Sequence, residues 1–150
     1  MTMTVKEILS ASLPSVKSAA KYVVIREGDT LKPTYRNVPQ NKKLHGTPKL
    51  TANCYSTATA DGNPKTGKPK RYQAYVCGLD NTKRLHQGPV QVYCDCDFFT
   101  FNCEVALKKR GAALIKNSNG EPPVIKNPQM IPTACKHLFR LLAEIYQRKM

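Results

Sequence analysis

Two short motifs constrain this chain more than anything else in it: Cys94-Asp95-Cys96 and Cys135-Lys136-His137, with 38 residues between them. Each sets two metal-binding donors one residue apart, and the Cys-x-Cys spacing of the first suits a ligand pair better than a disulfide. The first follows Val90 to Tyr93 (VQVY), a short β-forming run. The second opens an apolar stretch, LFRLL, with the periodicity of a helix. A strand end and a helix start are both stiff, so two pairs carried on them can converge on one centre. Zinc takes four such donors tetrahedrally, and a Cys3His set closes its shell. A closed shell has no position for water or substrate, so the expected ion is structural. Such ions bind with free energies on the order of 10 kcal/mol, the size of a whole domain's stability. The competing reading is buried thiols beside a hydrogen-bonded histidine; the second pair, at a strand-to-helix hinge, favours the metal.

The other cysteines read differently. Cys54 and Cys77 fall in strand candidates, where a small buried hydrophobe is the simpler role. Cys103 lies in a helix candidate and is either core or an alternative ligand. Asp95 and Asp97 flank the first pair and either hydrogen-bond near the ligands or face water. The chain shows no apolar stretch of signal-peptide or membrane-spanning length, so a reducing compartment is expected, where six cysteines point to metal before disulfides.

Element signals are uneven. Thr4 and Glu7 have capping-box spacing, which predicts a helix over 4–13 ended or turned by Pro14. Strands are expected at Lys21 to Arg26, Thr51 to Ala60, Arg71 to Cys77 and Val90 to Tyr93. Residues 30–50, with Pro33, Pro39 and Pro48, read as an extended arm lying along a partner; 61–70 and the proline-broken 117–132 read as loops. A helix over 98–110 is expected to gather Phe98, Phe101, Val105 and Leu107 on one side and to end at Gly111. Thr133 is a candidate cap for the final helix, whose Leu138, Leu141, Leu142, Ile145 and Tyr146 form the clearest amphipathic stripe.

The order of strand, strand, Cys-x-Cys, aromatic-rich helix and Cys-x-His opening an apolar helix resembles a SWIM-type zinc module over about residues 71–146. The matching residues are Cys94, Cys96, Cys135 and His137, although the spacer is long for that family. The stretch SNGEPPVIKNP leading into CKH is also similar to SWIM-like proteins of tailed bacteriophages, several of them virion components. The resemblance does not extend to residues 1–70. It implies contact with DNA or with other proteins.

Charge bears on partners. The net charge is +14, and Lys and Arg outnumber Asp and Glu along the whole chain. Such a field attracts polyanions. Lys68, Lys70 and Arg71, with Lys65 nearby, form one cluster, and Lys108, Lys109 and Arg110 another. Each is a candidate phosphate contact and equally an ordinary solvated face. Tyr72 and Tyr75 could stack bases, but they fit a sheet core as well. His45 and His86 sit in basic loops without a nucleophile or carboxylate pair, and no phosphate-binding glycine loop or metalloprotease motif is present.

The expectation is therefore an α+β protein. Residues 71–150 form a SWIM-like zinc-binding module, a small antiparallel sheet or hairpin plus two helices. Residues 1–70 supply an N-terminal helix, short strands and the basic arm. The expected role is non-enzymatic: a zinc-stabilised component of a tailed-phage virion touching other subunits or DNA, located in the virion or in the host cytoplasm during assembly. The alternative is a cytosolic nucleic-acid-binding accessory protein. Neither a membrane nor a small-molecule substrate is expected.

Overall fold

The computed structural model describes residues 2–25, 31–35, 44, 46–57, 70–114 and 127–150. Strand β1 (Met3–Thr4) runs straight into helix α1 (Val5–Ala11), followed by α2 (Pro14–Ala20), β2 (Val23–Ile25), β3 (Lys49–Ser56), β4 (Arg71–Gly78) and β5 (Pro89–Cys94). A π-helical turn, Phe99–Cys103, leads into α3 (Glu104–Lys109), and α4 (Lys136–Arg148) closes the chain. The fold class is α+β as expected, but the sheet is larger than a hairpin. Five antiparallel strands stand in the order β1-β5-β4-β3-β2. Three of them come from before residue 71, so one sheet runs across the expected division at residue 70. Among the described residues no helix is long and apolar enough to cross a membrane.

Period-two alternation decides the two faces of the sheet. Leu50, Ala52 and Cys54 of β3 pair with Val76, Ala74 and Tyr72 of β4, and Ala74 and Val76 pair in turn with Cys94 and Val92 of β5. These residues point to one side, and all but Tyr72 are buried there. Helix α4 lies on that side against β2, β3, β4 and β5, with α1 and α2 packed on it. Leu138, Leu141, Leu142 and Ile145 are fully buried, whereas Tyr146, at the margin of the stripe, is 42% exposed.

The N-terminal helix starts as its sequence requires. The Glu7 N–H donates to Thr4 Oγ1 at 3.2 Å, and the Thr4 N–H donates to Glu7 Oε1 at 3.0 Å. Pro14 does more than turn the chain: it is the first residue of α2, where its missing N–H costs nothing. That helix carries no strong apolar stripe and was not expected.

Two other expectations need correction. The segment 98–110 is not one α-helix. The Glu104 N–H reaches Phe99 O, five residues back, and this π-helical register rotates the face. Phe99, Cys103, Ala106 and Leu107 are buried, while Phe101 is 67% exposed. The described part of the 30–50 arm lies against its own chain. Thr34 and Lys49 exchange backbone hydrogen bonds of 2.8 Å, and Leu44 and Thr47 are buried. Residues 36–43, most of the 61–70 loop and 115–126 of the proline-rich segment lie outside the described residues, and so do His45, Lys65 and Lys68.

Candidate metal centre

Strand β5 ends by aiming Cys94 inward, opposite Ala74 of β4. The next residue turns outward. The Asp95 N–H donates to Gln73 O at 3.2 Å, and the Gln73 N–H donates to Asp95 Oδ1 at 2.9 Å. This exchange extends the ladder by one residue, so Cys96 returns to the inner side. Asp95 thus holds the hinge between the two thiols through its backbone N–H and its carboxylate, both bonded to Gln73 of β4.

The second pair is placed from the other direction. The Leu13 N–H donates to Thr133 Oγ1 at 3.1 Å and the Ala134 N–H to Ser12 Oγ at 3.1 Å, tying the segment before α4 to the corner between α1 and α2. Thr133 is committed to this brace and does not cap α4. The cap is Cys135 itself, whose Sγ accepts the Leu138 N–H at 3.4 Å. Cys96 Sγ accepts the Phe99 N–H in the same way at 3.4 Å. Two of the three thiols thus sit where backbone donors favour a thiolate.

Together the elements bring the donor atoms of Cys94, Cys96, Cys135 and His137 within 4.8 Å of one another, all buried. Cys94 Sγ and His137 Nδ1 are 4.0 Å apart. A tetrahedral zinc site with ordinary bond lengths has donor-donor edges of about 3.6–3.8 Å, so small side-chain adjustments suffice to close the cluster on an ion. Among the described residues His137 Nε2 is buried with no hydrogen-bond partner. A polar atom in that state costs about 1–3 kcal/mol, and coordination of a cation through Nε2 itself would offset that cost. Three thiols, one imidazole and an unsatisfied buried nitrogen fit a metal ion, and these four residues can hold one.

The thiols also share charge unequally. Hydrogen bonds from the Cys135 and Cys94 thiols, outweighing burial, hold Cys96 well below the ordinary thiol range. Burial first, and then donation to Cys94 and Cys96, pushes Cys135 up. Cys94 gains from Cys135 but ends raised, because it donates to Cys96 and is buried. Cys103 is raised by burial, with Cys135 and Cys96 close enough to add to the effect, yet it stands outside the four-donor cluster. Cys54 and Cys77 are buried and stand outside the cluster, as small strand hydrophobes would. Burial pushes the Cys77 thiol to about 11.

The surroundings add one residue the motifs did not reveal. The Tyr72 ring lies 4.8 Å from the His137 ring, centroid to centroid, with Lys70 Nζ 5.2 Å from the Tyr72 centroid. A cleft of about 550 Å³ opens beside the cluster, bordered by Val16 of α2, Tyr72, Asp97, Phe98 and Lys136. Tyr72 was legible as a strand aromatic and a candidate for base stacking, not as a neighbour of His137, which is 65 residues away and reached only through the topology.

No family model, curated protein or solved structure matches this chain.

The basic candidates are not gathered at the centre. Lys70 leans on Tyr72, whereas the Arg71 guanidinium lies 5.7 Å from the Tyr55 centroid on the other face of the sheet. Lys108 and Lys109 form the last turn of α3 and Arg110 its cap, all three exposed. His86 is structural: its N–H donates to Met150 O at 2.9 Å, tying the β4–β5 turn to the end of α4.

Proposed function

We propose that this chain is a non-enzymatic structural or interaction protein whose fold is fastened by one zinc ion on Cys94, Cys96, Cys135 and His137. The observation that carries the reading is the convergence of four buried donors within 4.8 Å, drawn from a strand end and a helix start. Three thiolates and an imidazole suit zinc, which has no geometric demand of its own beyond the four-coordinate shell they offer. Four protein donors fill that shell, so the ion fastens the sheet to α4 and performs no chemistry.

The net charge of +14 supports a working position beside a polyanion or an acidic neighbouring subunit. The resemblance to SWIM-like proteins of tailed bacteriophages supports a virion component, with other virion subunits and DNA as its partners. Metal analysis of the purified chain tests the centre: one zinc per chain is expected, and a stoichiometry of zero removes it. Mass spectrometry of purified virions tests the setting: a stoichiometric component is expected, and its absence leaves the cytosolic accessory role in its place.

A further inference from the structure

The face of the sheet turned away from α4 carries a different chemistry from the buried one. Its residues are Thr51, Asn53 and Tyr55 of β3 beside Tyr75, Gln73 and Arg71 of β4, paired in that order. Thr51, Gln73 and Arg71 are exposed, and both tyrosines are partly exposed. Leu44 and Thr47 close one end of this face through Lys49, whose ammonium donates to Leu44 O and Thr47 O. Toward β5 the Tyr75 ring is backed by Tyr93 at 5.7 Å, and Tyr93 by the edge of Phe99 at 5.7 Å. Tyr75 is thus the accessible end of a row whose other two rings are buried. Four residues along the strands, the Arg71 guanidinium lies over one face of the Tyr55 ring, 5.7 Å from its centroid, which leaves the other face for a base.

We infer that this face binds single-stranded nucleic acid, with Tyr55 and Tyr75 stacking unpaired bases and Arg71 meeting the backbone phosphate. This rests on the scaffold reading above and names the partner that the scaffold presents a surface to. A ring on a flat sheet can stack only with a base that has left its duplex, so the geometry favours single strands over double. The two ring positions are separated by about 13 Å along the strands, a spacing that calls for an extended strand laid across the sheet. Thr51, Asn53, Gln73 and Arg71 separate the rings, so the face lacks the contiguous apolar centre typical of a protein interface. Asp95 borders the patch, but its carboxylate accepts the Gln73 N–H. The chain's positive field supplies the long-range attraction that a polyanion needs.

The test uses the full zinc-loaded chain and a fluorescent oligothymidylate of about fifteen nucleotides, the upper end of single-strand site sizes. Fluorescence anisotropy should show tighter binding to this strand than to a duplex of equal length. Tyr55→Ala and Tyr75→Ala should each weaken it at least about fivefold, whereas Tyr55→Phe and Tyr75→Phe should bind as the parent does. Arg71→Ala should lower the slope of log affinity against log salt by about one. Zinc content is measured on every variant, so loss of metal indicts the centre and unchanged metal with unchanged binding indicts the face. Should the alanine variants fail to fold, the parent protein decides the matter by NMR. Ring signals of Tyr55 and Tyr75 should move as oligothymidylate is added while those of Tyr146 on α4 stay. Equal affinity for duplex, alanine variants that bind like the parent, or unmoved Tyr55 and Tyr75 signals would each overturn the inference and leave the face to a protein partner.

Discussion

Tyr72 sits between two kinds of neighbour: the His137 ring on one side and the Lys70 ammonium on the other. A tyrosine hydroxyl is uncharged at neutral pH, and burial, set against the opposing pull of Lys70, raises this one further, so the ring covers His137 without offering an anionic donor. Tyr72→Ala should therefore release zinc to a colorimetric chelator on the order of tenfold faster, as expected when the packing around a metal ligand is opened. Unchanged release would show that the ring merely fills space. The proposed ligands themselves should behave differently. Cys135→Ala removes a donor and the cap of α4 together and should abolish zinc binding in a metal assay, whereas Cys54→Ala should retain a full complement. If Cys135→Ala still holds one zinc, Cys103, buried nearby, has taken its place or the assignment fails. The four donors were legible in the sequence because thiols and imidazole are scarce and their spacing is local. The brace from Ser12 and Leu13 to Thr133 and Ala134 was not, since it joins residues 120 or more apart through ordinary hydroxyls and amides.

At the level of elements, local signals proved as good as the physics behind them. The capping box at Thr4 and Glu7 is present because both halves of it lie within one turn. The end of α3 is equally local. Gly111 has φ of 65°, its N–H donates to Lys108 O, and the Ala112 N–H donates to Leu107 O, the two bonds of a Schellman motif. Gly111→Ala should destabilise the protein by about 1–2 kcal/mol, read as a lower midpoint in urea at unchanged slope. In α4, Glu144 bonds to Arg140 one turn before it and Arg148 one turn after. The Arg140 hydrogen bond first, and the charges of both arginines, hold its carboxyl below the usual range. A lowered folded-state pKa stabilises the fold above the unfolded carboxylate's pKa, and that contribution disappears as pH falls through the folded value. Glu144→Gln should thus cost a few tenths of a kcal/mol per pair at pH 7, and its thermal midpoint should converge on the parent's as pH falls through the folded carboxyl's lowered value. A gap that persists in acid would rule out the ion pairs as its cause. Where signals were not local the reading failed. A π-helical register leaves no mark in residue periodicity, so Phe101 was placed inside and lies outside. Helix α2 has too few apolar residues to announce itself and is held by packing on α4.

For the whole molecule, the decisive fact is that the sheet does not respect the boundary the sequence suggested. The SWIM-like resemblance begins at about residue 71, and both Cys/His motifs lie wholly beyond it, so a separate C-terminal module was the natural expectation. Strand pairing is non-local and invisible to composition: β3 joins β4 through seven residue pairs, from Lys49 with Cys77 to Tyr55 with Arg71. Helix α4 then covers strands from both sides of the boundary. Removal of the proposed zinc should therefore do more than loosen residues 71–150. With the centre gone, the end of β5 loses its link to the start of α4, and the cover over β2 and β3 goes with that helix. Loss of binding free energy on the order of 10 kcal/mol matches or exceeds the stability of most domains, so chelation should unfold the sheet as one cooperative unit. Amide hydrogen exchange with and without a strong chelator reads this directly. Amides of β2 and β3, far from the ligands in sequence, should lose protection in step with those of β5 and α4. Protection that survives in β2 and β3 while β5 and α4 exchange freely would mean that the N-terminal strands hold a core of their own.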